Sequence, residues 1–321
     1  MPHVLDTPTK PVARELVRLR TALDEVIPAK RLDRNVLVAT WNLRAFAGLT
    51  ERWTPRPDDS PRRNLRDLRC IAEVISRFDV VALQEVRGDI KALRHLLKAL
   101  GPEWGVILTD VTKGHAGNDE RMAFVFDTRR VKPSGLACEL VVPVETDPRK
   151  IKPGAFNRQF ARTPYAVSFL ASGTTFVLVT LHVVYAKRDV NQRLGELGAI
   201  AEWLADWARR VTQWEQNLIA LGDFNIDRRG DPLFDAFTST GLEPPAALDD
   251  VPRTIFEGGK DNFYDQIAWF TGGGKAMLSF DALSAGSFDF VPVLGGGMTR
   301  AELSWHISDH YPLWVEFGLP R

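Results

Sequence analysis

The hydrophobic pattern begins with helical spacing and then alternates between strands and helices. Apolar residues recur every three or four positions between residues 12 and 27, which predicts an amphipathic helix that ends near Pro28. The apolar, β-branched runs at 35–41 and 78–84 predict buried strands, with helical spacing between and after them. This order of strand, helix, strand and helix predicts a layered α/β arrangement.

The middle of the chain consists of four strand-like runs joined by turn residues: RMAFVFD, LACELVVPV, YAVSFLA and TTFVLVTLHVV. No helical spacing separates them, so they predict a mostly antiparallel sheet. A helical pattern at 190–211 leads into the buried strand NLIALGD, and apolar runs follow at 263–270 and 311–317. We interpret these later elements as completing a second half that is similar to the first.

The patterns together predict the fold class α/β, as a four-layer sandwich of two packed, mixed or mostly antiparallel β-sheets flanked by helices. With 321 residues, the chain is long enough to form one large core. No linker divides it cleanly. We therefore expect a helical lead-in over residues 1–34 and a single domain over residues 35–321.

Composition and charge narrow the functional classes. A hydrophobic content of 45% excludes a disordered or fibrous chain, and 41 Lys+Arg against 41 Asp+Glu leaves no net charge to attract nucleic acid or membrane. Cys70 and Cys138 lack metal-type spacing and are predicted to be reduced. No apolar run has the length of a signal or a membrane span, so we expect a cytoplasmic, monomeric protein without integral membrane association.

Polar side chains suited to catalysis repeatedly follow the predicted strands. One alone would be weak evidence, because a strand-terminal Asp or Asn is commonly a turn former and a single His commonly has a structural role. Their repetition at strand ends instead indicates a site built on a rigid scaffold. The residues concerned are Asn42, Glu85, His182, Asp223, Asn225, Asp265 and the segment Ser308-Asp309-His310.

The last of these segments contains the three residue types of a serine hydrolase in consecutive positions. Consecutive residues cannot act as nucleophile, base and orienting group, because each side chain must reach the next across space. We therefore interpret Ser308 as a structural, backbone-bonding residue. We expect Asp309 and His310 to act with different groups of the site and not with each other.

The candidate residues suit the hydrolysis of a phosphate ester with the help of a hard divalent cation. Oxygen ligands from Asn42, Glu85 and an aspartate match Mg²⁺. Zn²⁺ is a poorer fit, because the chain has no HExxH motif, no paired cysteines and too few ligand-spaced histidines. A histidine can act as general base toward water or general acid toward the leaving oxygen if a carboxylate orients it, and the candidates are His182 and His310.

Eight short motifs occur in order along the chain: WNLRAF (41–46), LQEVR (83–87), ERMAFVF (120–126), RTPYAVSF (162–169), TLH (180–182), GDFN (222–225), YDQI (264–267) and ISDHYP (307–312). Together they resemble the endonuclease/exonuclease/phosphatase superfamily, and within it the deoxyribonuclease I branch. The similarity extends from about residue 36 to residue 317.

The resemblance implies a cofactor and a role for each candidate residue. Mg²⁺, or Mn²⁺ as its substitute, would be bound by Glu85 as the principal ligand, with Asn42 and Asp309 beside it. Asp223 and Asn225 would position or activate the attacking water and bind a phosphate oxygen. The implied pairs flanking the scissile phosphate are His182 with Glu120 and His310 with Asp265, and the implied substrate-binding arginines are Arg44, Arg87 and Arg162.

Departures from the family pattern bear on the substrate. Asn118 occupies the position at which deoxyribonuclease I has a tyrosine that inserts into the DNA groove, which weakens the expectation of double-strand cleavage. His182 stands where the abasic-site endonucleases have tyrosine, which argues against abasic-site repair. The chain also shows neither the disulfides nor the signal peptide of deoxyribonuclease I.

We therefore expect a Mg²⁺-dependent phosphodiesterase, in first place a DNase I-like endonuclease acting on DNA. The acid-free basic segment 149–162 favours a polyanionic substrate, whereas the arginine-rich segment 52–69 is as readily a solvated loop and helix start. The alternative is a phosphatase or phospholipase C-type enzyme, similar to sphingomyelinases or inositol phosphate phosphatases. Exposed apolar residues in FDFVPVLGGGM (288–298) would favour a lipid substrate. A non-catalytic binding module is the third hypothesis.

Overall fold

Two β-sheets, each containing a parallel pair of strands, form the centre of the protein. The structure is a computed structural model, which describes residues 2–113, 117–141, 160–185, 190–209, 217–256, 262–272 and 275–320. The strands are β1 (Asn35–Phe46), β2 (Val80–Arg87), β3 (Trp104–Leu108), β4 (Glu120–Asp127), β5 (Lys132–Glu139), β6 (Tyr165–Ala171), β7 (Thr174–His182), β8 (Leu218–Asp223), β9 (Leu242–Glu243), β10 (Asp265–Gly272), β11 (Lys275–Ala276), β12 (Asp281–Ser287) and β13 (Leu313–Gly318). The helices are α1 (Lys10–Val26), α2 (Leu65–Ile75), α3 (Lys91–Leu100), α4 (Val190–Arg209), α5 (Pro232–Thr238), α6 (Val291–Leu294) and α7 (Arg300–His306), with a 3₁₀ turn at Ala246–Leu248.

The strand order is β12-β13-β1-β2-β4-β3 in the first sheet and β11-β10-β8-β7-β6-β5 in the second, with β9 paired to β10. β1 and β2 pair in parallel and are connected through α2, while β7 and β8 pair in parallel and are connected through α4. The other pairs of described strands are antiparallel. The prediction of two packed, mixed and mostly antiparallel sheets flanked by helices is therefore confirmed.

The assignment of the last apolar run to the second half is wrong. β13 lies in the first sheet, where it pairs antiparallel with β1. An apolar strand carries little information about its partner, because strand pairing is decided by packing against neighbours and not by the strand alone. This pairing places the segment before β13, which contains Asp309 and His310, beside the end of β1.

Alternate residues of the central strands face different layers of the core. Val36 and Val38 of β1 lie between the two sheets, whereas Leu37 and Ala39 face the helices outside the first sheet. The outer face of the second sheet is covered by α4 and α5 in the same way. Because both faces of these strands are buried, they appear in the sequence as continuous apolar runs.

The first helix packs against the main body of the protein. α1 contacts α2 and α6, and its buried residues Leu16, Leu19 and Leu23 belong to the same core cluster as the outer face of the first sheet. Arg66 of α2 forms an ion pair with Glu15 of α1, in which Nη2 and Oε1 are 2.5 Å apart. The predicted helix is therefore present and ends at Val26, two residues before Pro28.

The segment at 288–298 does not present an apolar surface to solvent. Phe288, Phe290 and Leu294 are at most 2% exposed and pack in the core cluster that also contains α1. The segment includes the short helix α6. These three residues cover the first sheet, and Val291, Val293 and Met298 are partly buried against the same cluster. The largest apolar side chains of the segment therefore do not support a lipid substrate.

Both cysteines are free thiols, with Cys70 buried and Cys138 half-buried. Burial raises the pKa of each thiol above its usual range, as expected for cysteines in apolar surroundings. Within the described ranges, no helix has the length and apolar character required to cross a membrane.

Candidate active site

The predicted site residues converge at one end of the central strands. Asp223 ends β8, where its register partners are His182 at the end of β7 and Asp265 at the start of β10. In the first sheet, Asn42 and Glu85 lie near the ends of the parallel pair β1 and β2. Because β8 also contacts β1 and β2 across the interface between the sheets, both halves of the protein contribute to the site.

The backbone at this end of the strands is distorted in a way that presents side chains. The β1–β2 register shifts between Asn42 and Phe46, so that an irregular stretch interrupts the ladder. Arg44, Ala45 and Glu85 have positive φ angles of 37°, 48° and 60°. Non-glycine residues adopt this conformation at an energetic cost, and they concentrate at functional sites. Asn225, after β8, has the same feature with φ of 50°.

His310 and Asp265 form a buried pair. Nδ1 of His310 is 2.6 Å from Oδ2 of Asp265, whose side chain is fully buried. Burial alone would lower the pKa of His310, but the carboxylates of Asp265, Asp223 and Asp309 raise it well above its ordinary value. Burial also raises the pKa of Asp265 to about 6, although His310 opposes that shift. The imidazole is therefore held in its charged form at neutral pH.

His182 and Glu120 form a second pair on the other side of Asp223. Nδ1 of His182 is 3.0 Å from Oε2 of Glu120, and both side chains are buried. Nε of Arg162 lies 2.6 Å from the same carboxylate oxygen. Burial would raise the pKa of Glu120, but His182, Arg162 and Arg87 outweigh burial and lower it to about 2. The carboxylate stays ionised and fixes the orientation of the imidazole.

Asp223 lies between the two imidazoles. Its Oδ2 is 3.7 Å from Nε2 of His182 and 3.9 Å from Nε2 of His310. The same oxygen accepts a hydrogen bond from Nδ2 of Asn42 at 3.0 Å, and Oδ1 accepts the backbone N–H of Asn225 at 3.0 Å. The arrangement is nearly symmetrical, with each histidine oriented from behind by a carboxylate and directed toward Asp223.

Glu85 and Asp309 are the carboxylates best placed to bind a cation. Their side chains are 21% and 25% exposed, and both line the same cleft. Among the described residues, no three or more His, Cys, Asp or Glu side chains are arranged to hold a metal ion. Mg²⁺ does not need such a group, because it uses one or two carboxylates together with water and substrate oxygens. The donor set therefore fits a hard cation.

Asn42 is oriented differently from a metal ligand. Its Oδ1 accepts the backbone N–H of Arg44 at 3.0 Å, while its Nδ2 donates to Oε1 of Glu85 at 3.1 Å and to Asp223. The backbone N–H of Ala45 donates to Oε2 of Glu85 at 2.7 Å. Asn42 thus organises the carboxylates, and its role as a metal ligand stays a prediction.

The three predicted arginines all lie at the site, and each faces a carboxylate. Nη1 of Arg44 is 3.3 Å from Asp309, and its guanidinium stacks on Trp305 at 4.0 Å. Nη2 of Arg87 is 3.3 Å from Glu120, which also contacts Arg162. Arg162 is therefore placed behind the His182 pair as well as at the cleft. Residues 149–159 of the predicted basic segment lie outside the described ranges.

The remaining predicted residues have structural contacts in the site. Ser308 is buried, and its hydroxyl donates to the carbonyl of Asn42 at 2.5 Å while accepting the N–H of His310 at 3.0 Å. Asn118 donates through Nδ2 to Oε1 of Glu120 at 2.6 Å. Nδ2 of Asn225 donates to the carbonyl of Val183 at 2.7 Å. Ser308 thus joins the two segments that bear Asn42 and His310.

Arg63 is an organising residue that sequence reasoning missed. It is only 3% exposed, and its guanidinium donates to the carbonyls of Leu43, His306 and Ile307 at 2.8, 3.1 and 3.0 Å. It also reaches the carbonyl of Arg44 at 3.2 Å. Its position in an arginine-rich stretch indicated a solvated loop, and no local signal distinguishes it from exposed Arg62 beside it.

The two His–carboxylate pairs and the carboxylates around them lie in an open cleft of about 1030 Å³. Phe256 and Tyr185, which are 40% and 44% exposed, contribute aromatic surface to its walls. The predicted residues that line the cleft are Glu85, Glu120, Arg162, His182, Asp223, Asn225, Asp309 and His310. A cleft with convergent polar groups and shifted pKa values has the properties of an enzyme active site.

Residues 39–310 match the profile of the Endonuclease/Exonuclease/phosphatase family. The catalytic domain of human nocturnin with bound sulfate is similar in structure, with 16% identity, a TM-score of 0.58 and coverage of 91% of this chain and 97% of that one. D. rerio TDP2 complexed with a single-strand DNA product has 13% identity and a TM-score of 0.56, covering 88% and 98%. A mannosyl-6-phosphatase from Bacteroides thetaiotaomicron has 18% identity and a TM-score of 0.55, covering 88% and 99%. No curated protein sequence matches significantly.

Proposed function

Because the chain belongs to the endonuclease/exonuclease/phosphatase family, whose members are generally phosphoester hydrolases, we propose that it is a cation-dependent phosphodiesterase of the nuclease type. The observation that carries this proposal is the placement of two His–carboxylate pairs around Asp223 in one open cleft. Such an arrangement places a proton donor and a proton acceptor on two sides of a bound phosphate, which is what the exchange of one P–O bond for another requires.

A hard divalent cation, Mg²⁺ or Mn²⁺, would be held by Glu85 and Asp309. Bound there, it would supply positive charge to the phosphate oxygens as negative charge develops on them. The paired oxygens of Glu85 are oriented by Asn42 and by the N–H of Ala45, which prepares the carboxylate in the absence of substrate.

We assign different proton-transfer roles to the residues around Asp223. His310, charged by its pairing with Asp265, is suited to bind a phosphate oxygen and protonate the leaving oxygen. Asp223 is suited to accept the proton of the attacking water, because its Oδ2 faces the open space between the imidazoles. His182, fixed by Glu120, would bind a second phosphate oxygen through Nε2. In this assignment His310 is the general acid, and His182 takes no part in proton transfer.

DNA is the first candidate substrate, and a phosphate monoester is the second. An open cleft of about 1030 Å³ can admit an extended strand, and exposed Tyr185 offers surface for a base. Arg44, Arg87 and Arg162 each face a carboxylate of this chain, so they offer less positive charge to a polyanion such as DNA. This observation favours the second candidate, a phosphate monoester.

One substrate panel decides between these candidates. The wild-type protein would be assayed with Mg²⁺ on supercoiled plasmid, a single-stranded oligonucleotide, bis(p-nitrophenyl) phosphate, p-nitrophenyl phosphate, sphingomyelin and an inositol phosphate. We expect cleavage of the nucleic acids and of bis(p-nitrophenyl) phosphate. Preferential hydrolysis of the monoesters would replace the nuclease proposal with a phosphatase, and hydrolysis of sphingomyelin alone would replace it with a lipid phosphodiesterase.

A further inference from the structure

A smaller cavity of about 380 Å³, the side pocket, opens beside the main cleft. The two cavities share Tyr185, Asn262 and Tyr264 in their walls. The ring of Tyr264 lies against the imidazole of His310, with centroids 5.9 Å apart. A substituent on a phosphate bound at His310 can therefore extend past Tyr264 into the side pocket.

The side pocket contains exposed aromatic and apolar surface. Tyr185 is 44% exposed and Val190 is 43% exposed, and Pro232 and Leu233 add to the apolar lining. The ring of Tyr185 packs edge-to-face on Tyr264, with centroids 6.0 Å apart and an interplanar angle of 77°. This packing fixes the ring while leaving much of it open to solvent. A fixed, exposed ring beside a phosphate site is suited to stack on a flat ring of a ligand.

The carboxylates in the side pocket are already engaged within the chain. Asp227 contacts both terminal nitrogens of Arg193, at 3.1 and 2.9 Å. Asp231 accepts the backbone N–H groups of Phe234 and Arg228 at 2.8 and 3.1 Å. A hexose would need such acceptors for its several hydroxyl groups, whereas a base needs chiefly a flat surface for stacking. The side pocket therefore suits a nucleoside better than a hexose.

We propose that the side pocket binds the nucleoside next to the scissile phosphodiester, with its base stacked on Tyr185. Arg228, exposed at the pocket, supplies positive charge for the phosphate beyond that nucleoside. The inference rests on the proposed phosphodiesterase function and adds a subsite for one nucleoside beside the scissile bond. Because every base has a stacking face, the subsite is expected to accept different bases.

The test compares diesters that share the scissile bond and differ in one substituent. The substrates are thymidine 5′-(p-nitrophenyl phosphate), its 3′ isomer, the p-nitrophenyl diester of mannose 6-phosphate, and methyl p-nitrophenyl phosphate, whose methyl group cannot stack. We expect wild-type kcat/KM to be highest for one of the thymidine diesters. In Tyr185→Ala, the ratio of kcat/KM for that diester to kcat/KM for methyl p-nitrophenyl phosphate should fall by about tenfold. Any effect of the substitution on the shared chemistry cancels in this ratio.

Two further variants show where the base lies. Tyr185→Phe keeps the ring and is expected to keep the ratio. Phe256→Ala removes an equally exposed ring that lines the main cleft and not the side pocket, and it should also leave the ratio unchanged. A fall in the ratio for Phe256→Ala and not for Tyr185→Ala would place the base elsewhere and overturn the proposal. A wild-type preference for the mannose diester would overturn it in favour of a sugar subsite.

A binding measurement keeps the subsite testable apart from catalysis. Titration of thymidine 3′,5′-bisphosphate by calorimetry should give weaker binding to Tyr185→Ala than to wild type or Tyr185→Phe. If wild type hydrolyses no diester, the proposed function fails, and the titration alone then decides whether a nucleoside subsite exists. Equal binding by wild type and Tyr185→Ala would overturn the subsite while leaving the phosphodiesterase proposal untouched.

Discussion

Nδ1 of His310 lies 2.6 Å from Oδ2 of Asp265, and the two side chains come from the segment before β13 and from the first residue of β10. The pair therefore links β10 of the second sheet to the segment that leads into β13 of the first sheet. Arg253 donates to the backbone carbonyl of Asp265 at 2.8 Å, and Trp41 donates through Nε1 to the carbonyl of His310 at 2.8 Å. The pair is thus fixed by buried contacts on both sides, which leaves the imidazole a single orientation.

Replacing Asp265 with Asn should impair catalysis through His310. The amide has nearly the same shape, but it removes the charge that raises the pKa of His310 and can hold the wrong tautomer. We expect kcat on a single-stranded DNA oligonucleotide, whose leaving alkoxide needs a proton, to fall by about 10- to 100-fold, as for other groups that orient a catalytic residue. Asp281→Asn, at an exposed position in β12, serves as the matched control. Wild-type turnover by Asp265→Asn would show that the pair has no catalytic role.

Replacing Glu85 with Gln should change the response to the cation. The substitution removes the charge of the principal proposed ligand while keeping the side-chain volume. We expect the Mg²⁺ concentration for half-maximal activity to rise by about tenfold or more, because a neutral amide is a much weaker ligand for a hard cation. Glu243→Gln, an exposed residue of β9, is the control. An unchanged Mg²⁺ titration would exclude Glu85 as a ligand.

The alternation of apolar strands and helices was sufficient to predict the layered fold. The strand-end positions of Asn42, Glu85, His182 and Asp223 were equally visible, because a parallel strand ends where its side chains can meet. The motif resemblance supplied the pairing of each histidine with its carboxylate. Those partners are far apart in the sequence, so the residues alone could not have identified them.

Other features depend on tertiary contacts that leave no local signal. β13 is an apolar strand whose partner β1 is distant in sequence, and its sheet was therefore assigned wrongly. Arg63 occurs in a stretch of charged residues that resembles a solvated loop, yet it is buried against five backbone carbonyls. A buried guanidinium is recognisable only when the carbonyls it satisfies have been placed in space.

Arg63→Lys should loosen the site without removing a charge. Lysine cannot reproduce the planar fork that reaches the carbonyls of Leu43 and Ile307 together. We expect the free energy of unfolding to fall by about 1–3 kcal/mol, and the Mg²⁺ requirement to rise because the Ala45 N–H no longer orients Glu85 as well. Arg62→Lys, the exposed neighbour, should change neither quantity. A loss of stability with an unchanged Mg²⁺ requirement would show that Arg63 is structural only.

Glu120 should make stability depend on pH in the acid range. Its pKa in the folded protein is lowered from 4.5 to about 2, so its contribution is present above about pH 4.5 and is lost as pH falls toward 2. We expect Glu120→Gln to have a lower free energy of unfolding than wild type at pH 6, by on the order of 3 kcal/mol. The difference should shrink in urea titrations at pH 3.5. A difference that stays constant with pH would contradict this, and Glu103→Gln, an exposed residue, is the control.

Cation-dependent cleavage of nucleic acid at this site can be measured with a 5′-labelled single-stranded DNA oligonucleotide and with wild type, His310→Ala and His182→Ala, each with Mg²⁺ and with EDTA. We expect cleavage by wild type with Mg²⁺ and none with EDTA. The rate should fall by about 10²- to 10⁴-fold in His310→Ala, as for the loss of a general acid, and by about 10²- to 10³-fold in His182→Ala, which removes a donor to the phosphate oxygens. Cleavage that persists in EDTA, or a histidine variant that cleaves at the wild-type rate, would contradict these expectations.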